Sequence, residues 1–236
     1  MATKVVLVTG ANSGIGYETV KVFLQSPNRY HVYLGSRSLQ KGKDALEKIR
    51  TESPKKAFKV VENGPGRLDV LINNAGGGFD AEFLQGKMSL RECFNKAYGL
   101  NTFIPLLLKS AEPRLIFVAG LSQMTQAAEA YFPTPPQPAG WPKKIEFETI
   151  GYRCSKTALS MLMLDWNHKL KEDGVKVFSV SPGLCVTGLG GLGADLMKAM
   201  GAKHPSKGGQ RLITVAEGKR DADAGKIVDK VGLLPW

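Results

Sequence analysis

Short apolar runs alternate with longer stretches of helical periodicity along most of this chain. The runs are KVVLV (4–8), YHVYLGS (30–36), AFKVV (57–61), LDVLIN (68–73), RLIFVA (114–119) and VKVFSV (175–180). Helical patterns fall at about 15–25 and 39–51, and YRCSKTALSMLMLDWNHKL (152–170) reads as a further helix. The runs are near-continuous Val, Ile and Leu rather than apolar–polar alternations, so they predict strands covered on both faces, as in a parallel sheet with helices on each side. The fold class expected is α/β: a doubly wound parallel sheet of Rossmann type, in a single domain spanning 1–236. YFPTPPQPAGWP (131–142) breaks the rhythm, because its prolines exclude a regular helix, and it is predicted to be a surface loop.

At 236 residues and 43% apolar, the chain is long enough to bury a substantial core. It contains no apolar run long enough for a membrane helix and no secretory pattern, so a cytoplasmic protein with no membrane partner is expected. Cys93, Cys154 and Cys185 are odd in number and widely spaced, which predicts reduced thiols and no metal site. The net charge of +11 would suit a nucleic-acid binder, but most basic residues are scattered without interleaved aromatics, and no nucleic-acid partner is expected. Between 37 and 59 basic residues dominate; that stretch is either a solvated helix face or a local field for a polyanionic ligand.

The turn between the first strand and the first helix carries Gly10, Gly14 and Gly16. Such a turn can bring bare backbone and free helix N–H groups to a pyrophosphate, or it can simply need glycine for its geometry. The pieces that follow favour the cradle: NNAG (73–76), Asn101, YRCSK with Tyr152 and Lys156, and SPGLCVTG (181–188). With T-G-x-x-x-G-x-G at 9–16, this ordered set resembles the short-chain dehydrogenase/reductase family from Lys4 to at least Gly188, in particular its fungal, carbonyl-reductase-like members.

Tyr152 and Lys156 are four apart and share a helix face, where a cation favours the phenolate and allows acid–base work near neutral pH. Taken alone, a pair at this spacing would usually be surface decoration. The resemblance implies that Tyr152 exchanges a proton with the substrate oxygen, that Lys156 holds the nicotinamide ribose, and that Asn101 holds a water leading to solvent. It also implies a cofactor site of Gly10, Ser13, Gly14, Ile15, Gly16, Asn74, Ala75, Gly76, Pro182, Gly183, Val186 and Thr187. The other readings are a helix kink or cap at Asn101, a ligand-free turn at 74–76 and an ordinary helix start after Pro182–Gly183. At the end of the second strand stand Ser36 and Arg37, with no acid for ribose hydroxyls; Arg37 suits a 2′-phosphate, and NADP(H) is the expected cofactor.

The chain departs from the family in three places. The serine expected just past the fifth strand falls on Ala119 or Gly120, and Ser122 is the nearest hydroxyl that a small shift could bring into the site. The segment 122–150 is a loop insertion whose Tyr131, Phe132 and Trp141 either contact an apolar substrate or anchor the loop. Between Glu62 and Leu68 only NGPGR is available. In the family's strand order that connection spans about 22 Å, which six extended Cα steps barely reach and into which no helix fits. The region of the third strand is therefore expected to be displaced or shortened, and Asn101 to Arg114 is short for a long helix. The function expected is an NADPH-dependent oxidoreductase acting on a small-molecule carbonyl or alcohol. The alternative is a cofactor-binding member of weak or no activity, and a homo-oligomer is compatible with either.

Overall fold

The computed structural model describes residues 3–52, 66–76, 103–120, 122–129, 138–143 and 149–236. Its strands are β1 (Lys4–Val8), β2 (Tyr30–Leu34), β3 (Val70–Asn73), β4 (Arg114–Val118), β5 (Lys176–Val180), β6 (Ile227–Val228) and β7 (Leu233–Leu234). They form one sheet in the order β2-β1-β3-β4-β5-β6-β7, parallel throughout except for the antiparallel β6–β7 pair. Strand order reverses direction at β1, and the crevice beyond the carboxyl ends of β1 and β3 is where such sheets hold ligands.

The helices are α1 (Gly14–Gln25), α2 (Leu39–Glu52), α3 (Ile104–Leu107), α4 (Met124–Glu129), α5 (Ile150–Lys169), α6 (Ala194–Ala199) and α7 (Ser206–Ala216). Successive strand residues point to opposite faces, so β1, β3, β4 and β5 each feed two cores. Val6, Val8, Ile72, Ile116 and Phe178 meet Val20, Phe23, Ile49 and Leu212 of α1, α2 and α7 on one face. Val5, Leu71, Leu115, Phe117 and Val177 meet Ile104, Leu107, Leu159 and Met163 of α3 and α5 on the other. This two-sided burial is what the continuous apolar runs predicted.

Differences from the expected boundaries are small. β2, β4 and β5 lie within their predicted runs, and β3 starts at Val70, because Leu68 donates its N–H to Leu106 and Asp69 to Val5 instead of continuing the ladder. The stretch after Phe103 forms only the single turn α3, opened by Pro105 and followed by turns through Ser110. Part of the 122–150 insertion is helical, as α4. Everything from α6 onward went unpredicted; β6 and β7 are two residues each, too short for a periodic signal. AFKVV, Glu62, Cys93, Asn101, Tyr131 and Phe132 lie outside the described residues. Cys154 is exposed and Cys185 buried, both as free thiols.

Candidate active site

β1 ends at the glycine turn, and what each glycine faces explains why it is glycine. Gly10 and Gly14 have φ of +61° and +57°, a region costly for residues with a Cβ. A Cβ on Gly10 would lie 2.8 Å from the Ala75 Cα, and one on Gly14 would lie 3.4 Å from the Thr187 Cγ2. One on Gly16 would run into the Asn74 side-chain amide. Three distant stretches predicted to hold the cofactor, 10–16, 74–76 and 182–187, are thus in contact at the carboxyl end of the sheet.

Thr9 and Asn74 tie the junction together. The Thr9 hydroxyl donates to the Ile72 carbonyl (3.3 Å) and accepts the N–H groups of Asn74 (3.1 Å) and Ala75 (2.9 Å). The Asn74 amide donates to the carbonyls of Thr9 (3.0 Å) and Gly10 (3.2 Å). Asn74 therefore shapes the turn with its side chain. Ser13 precedes α1 in an extended conformation without a side-chain cap bond, and the first turn of α1 carries no acid. The positive end of that helix is left open to an anion, which fits the phosphates of a dinucleotide.

Beyond β2 the Ser36 hydroxyl donates to the Ser38 carbonyl and accepts the Ser38 N–H, while the Ser38 hydroxyl accepts from the Lys41 N–H. These bonds turn the chain into α2 and leave Arg37 exposed, with no acid at the end of β2. Val186 and Thr187 are set by a short pairing in which the Val186 N–H donates to the Lys203 carbonyl (2.9 Å) and that of Lys203 to the Leu184 carbonyl (2.9 Å).

Tyr152 and Lys156 are presented by the first two turns of α5. The Lys156 Nζ lies 5.6 Å from the Tyr152 ring centre and donates to the Val118 carbonyl at the end of β4 (2.9 Å). The residue as a whole is half-buried, but its amine is drawn inward, and burial pushes its pKa down from 10.5 to about 8. Gly120 has φ +143°, and a Cβ there would lie 3.8 Å from the Tyr152 hydroxyl. So Gly120, one of the two positions on which the expected serine falls, sits beside the tyrosine and carries no hydroxyl. Two residues on, Ser122 is 3% exposed, and its Oγ has no hydrogen-bond partner among the described residues. Trp141 is 87% exposed, so it does not anchor its loop.

Among the described residues no cluster of His, Cys, Asp or Glu could hold a metal ion, and no helix is long and apolar enough to cross a membrane. The sequence reading passed over α7 and Asp229, although consecutive glycines at 208 and 209 inside a helix are a sign of close packing.

A family profile described as short chain dehydrogenase matches residues 4–113. The chain is 40% identical to the short-chain dehydrogenase/reductase tropE of Talaromyces stipitatus, with 97% of this chain and 96% of that protein covered. It is 36% identical to the short-chain dehydrogenase/reductase eupG of a Phoma species, covering 98% and 97%. The alignment with the Talaromyces protein runs over 259 residues, 23 more than the 236 of this chain, so that relative carries internal positions this chain lacks. Among solved structures, an NADPH-bound carbonyl reductase from chicken fatty liver matches with a TM-score of 0.70 at 22% identity over the whole of both chains, a likeness of fold. With 40% identity over nearly the full length of both proteins, this chain belongs to the short-chain dehydrogenase/reductase family, and it is an oxidoreductase by that membership.

Proposed function

We propose that this protein is an NADP(H)-dependent reductase or dehydrogenase that moves a hydride between the nicotinamide and the carbonyl or alcohol carbon of a small-molecule substrate. The observation that carries this reading is the placement of the Tyr152 phenol and the Lys156 amine at the end of β4, next to a crevice where the glycine turn meets Ala75 and Thr187. The open start of α1 and the backbone at Gly10 and Gly14 would hold the pyrophosphate, Arg37 the 2′-phosphate, and Val186 and Thr187 the carboxamide. The NADPH bound to the chicken-liver carbonyl reductase is in keeping with that choice of cofactor. When bound, the cofactor supplies the hydride.

In the reduction direction Tyr152 gives its hydroxyl proton to the substrate oxygen as the carbonyl becomes an alcohol. Lys156, charged below a pH of about 8, favours the phenolate left behind. Ser122 supplies a second hydrogen bond to the substrate oxygen, a role supported by its buried hydroxyl, which has no partner among the described residues. Asn101 holds the water that links Lys156 to solvent.

A second reading, a cofactor binder of weak or no activity, is favoured by the glycine at position 120 and by the internal positions missing relative to the Talaromyces protein. Incubation with NADPH and a panel of aldehydes and ketones separates the two. Consumption of NADPH with at least one carbonyl is expected, and binding seen by NADPH fluorescence without any consumption would establish the second reading. Failure to bind NADPH at all would overturn both.

A further inference from the structure

Helix α7 packs against α1 and grips both turns that border the crevice. A Cβ on Gly208 would lie 3.0 Å from the Pro182 Cβ and 3.3 Å from the Ile15 Cγ2. One on Gly209 would lie 3.0 Å from the Thr19 nitrogen and 3.1 Å from the Glu18 carbonyl carbon, so these two helices meet backbone to backbone. On the same helix the Arg211 Nη1 donates to the Ser181 carbonyl (3.0 Å) and to the Asp229 carboxylate (3.1 Å). That nitrogen rests against Gly183, at φ +77°, where an added Cβ would come within 2.6 Å of it. A glycine in a helix interior costs about 1 kcal/mol relative to alanine, so two in succession need a compensating reason. Here the reason is the contact: side chains at 208 and 209 would push α7 away from the glycine turn and from the Pro182–Gly183 turn together.

We infer that α7 sets the width of the cofactor crevice, with Gly208 and Arg211 as positioning residues for the nicotinamide end. The inference rests on the dinucleotide reading of the site. Gly208 fixes the separation between Ile15, on the phosphate side, and Pro182, on the nicotinamide side. Arg211 fixes only the nicotinamide side, because its bonds go to the 181–183 turn and to Asp229 behind it. A single nitrogen of the guanidinium makes both bonds, so a lysine ammonium can replace it, whereas an apolar chain of similar length cannot.

The test measures binding of NADPH and of 2′-phospho-ADP-ribose, which lacks the nicotinamide, with circular dichroism and thermal melting as controls for folding. Wild-type protein that binds neither ligand would overturn the dinucleotide reading, and the inference with it. With binding in place, Arg211→Met is expected to weaken NADPH about tenfold and the truncated ligand less than about threefold, and Arg211→Lys is expected to restore most of the NADPH affinity. Equal losses for both ligands in Arg211→Met, or no loss, would overturn the inference, since a merely structural role moves both alike. Gly208→Ala is expected to weaken both ligands, because it displaces Ile15 as well as Pro182. If Arg211→Met fails to fold, Arg211→Gln takes its place with the same expected split between the two ligands, and unchanged affinity for both ligands in Gly208→Ala would overturn the inference.

Discussion

At the scale of single residues, the proposed chemistry rests on a phenol and an amine of α5 and on the hydroxyl of Ser122. Tyr152→Phe removes the proposed proton donor and keeps the ring, so turnover should fall at least about 100-fold while NADPH affinity stays unchanged, read from initial rates and fluorescence titration. Ser122→Ala should lower turnover about tenfold or more if its hydroxyl meets the substrate oxygen. An unchanged rate would mean that Ser122 does not take the role of the serine expected at Ala119 or Gly120. Lys156 is held at a cost, because burial lowers its pKa to about 8 from 10.5. Between these two values the unfolded chain binds more protons than the folded one, so this group's contribution makes stability rise with pH from about 8 to about 10.5, and the penalty is fully present below 8. Lys156→Met should therefore stabilise the ligand-free protein at neutral pH by up to about 3 kcal/mol, read as a higher melting temperature, while abolishing turnover.

At the scale of elements, the site stands on junctions between strand ends and helix starts. Gly10→Ala combines a positive φ with a Cβ 2.8 Å from the Ala75 Cα, so it should cost at least about 2 kcal/mol in chemical denaturation and weaken NADPH binding. The amino ends of β4 and β5 are held by charge. The buried Arg114 makes two bonds to the Asp221 carboxylate, at 3.1 and 2.7 Å, and Lys176 adds a third. Burial alone would raise the Asp221 pKa, but the hydrogen bonds from Arg114 and Lys176 outweigh it and hold the carboxyl below its ordinary 3.8. A depressed carboxyl adds stability above its unfolded pKa and loses it as pH falls through the folded one. Asp221→Asn should therefore destabilise the protein at pH 7 by about 2–4 kcal/mol, by leaving the guanidinium under-paired, and should flatten the loss of stability in acid. NADPH affinity should not change, because this network lies at the far end of the strands.

At the scale of the whole molecule, the apolar runs and the helical periods made the doubly wound sheet legible, since two-sided burial leaves continuous Val, Ile and Leu in the strands. β1, β2, α1, α2, β4, β5 and α5 could all be read to within a few residues. The short spacing from Glu62 to Leu68 predicts a displaced or shortened crossover, in a stretch that lies largely outside the described residues. Grafting the corresponding segment of the Talaromyces protein between Glu62 and Leu68 should raise the melting temperature and tighten NADPH binding. A graft that lowers both would show that the shorter connection is the form this chain is built for.

The sequence by itself determined the class of the sheet, the order of the site's pieces and the pairing of Tyr152 with Lys156, because these depend on local periodicity and on spacing within one helix or one turn. Tertiary structure alone decided what those pieces touch. Nothing in the spacing of Gly10, Gly14 and Gly16 says that they meet Ala75, Thr187 and Asn74, since contacts so far apart along the chain are fixed by how the strands line up. The same holds for Gly120 beside Tyr152 and for α7 wedged between Ile15 and Pro182, which rest on packing distances that no local pattern records. The amine of Lys156 was visible as a cation near a phenol, but its pKa near 8 comes from burial, and burial belongs to the folded chain.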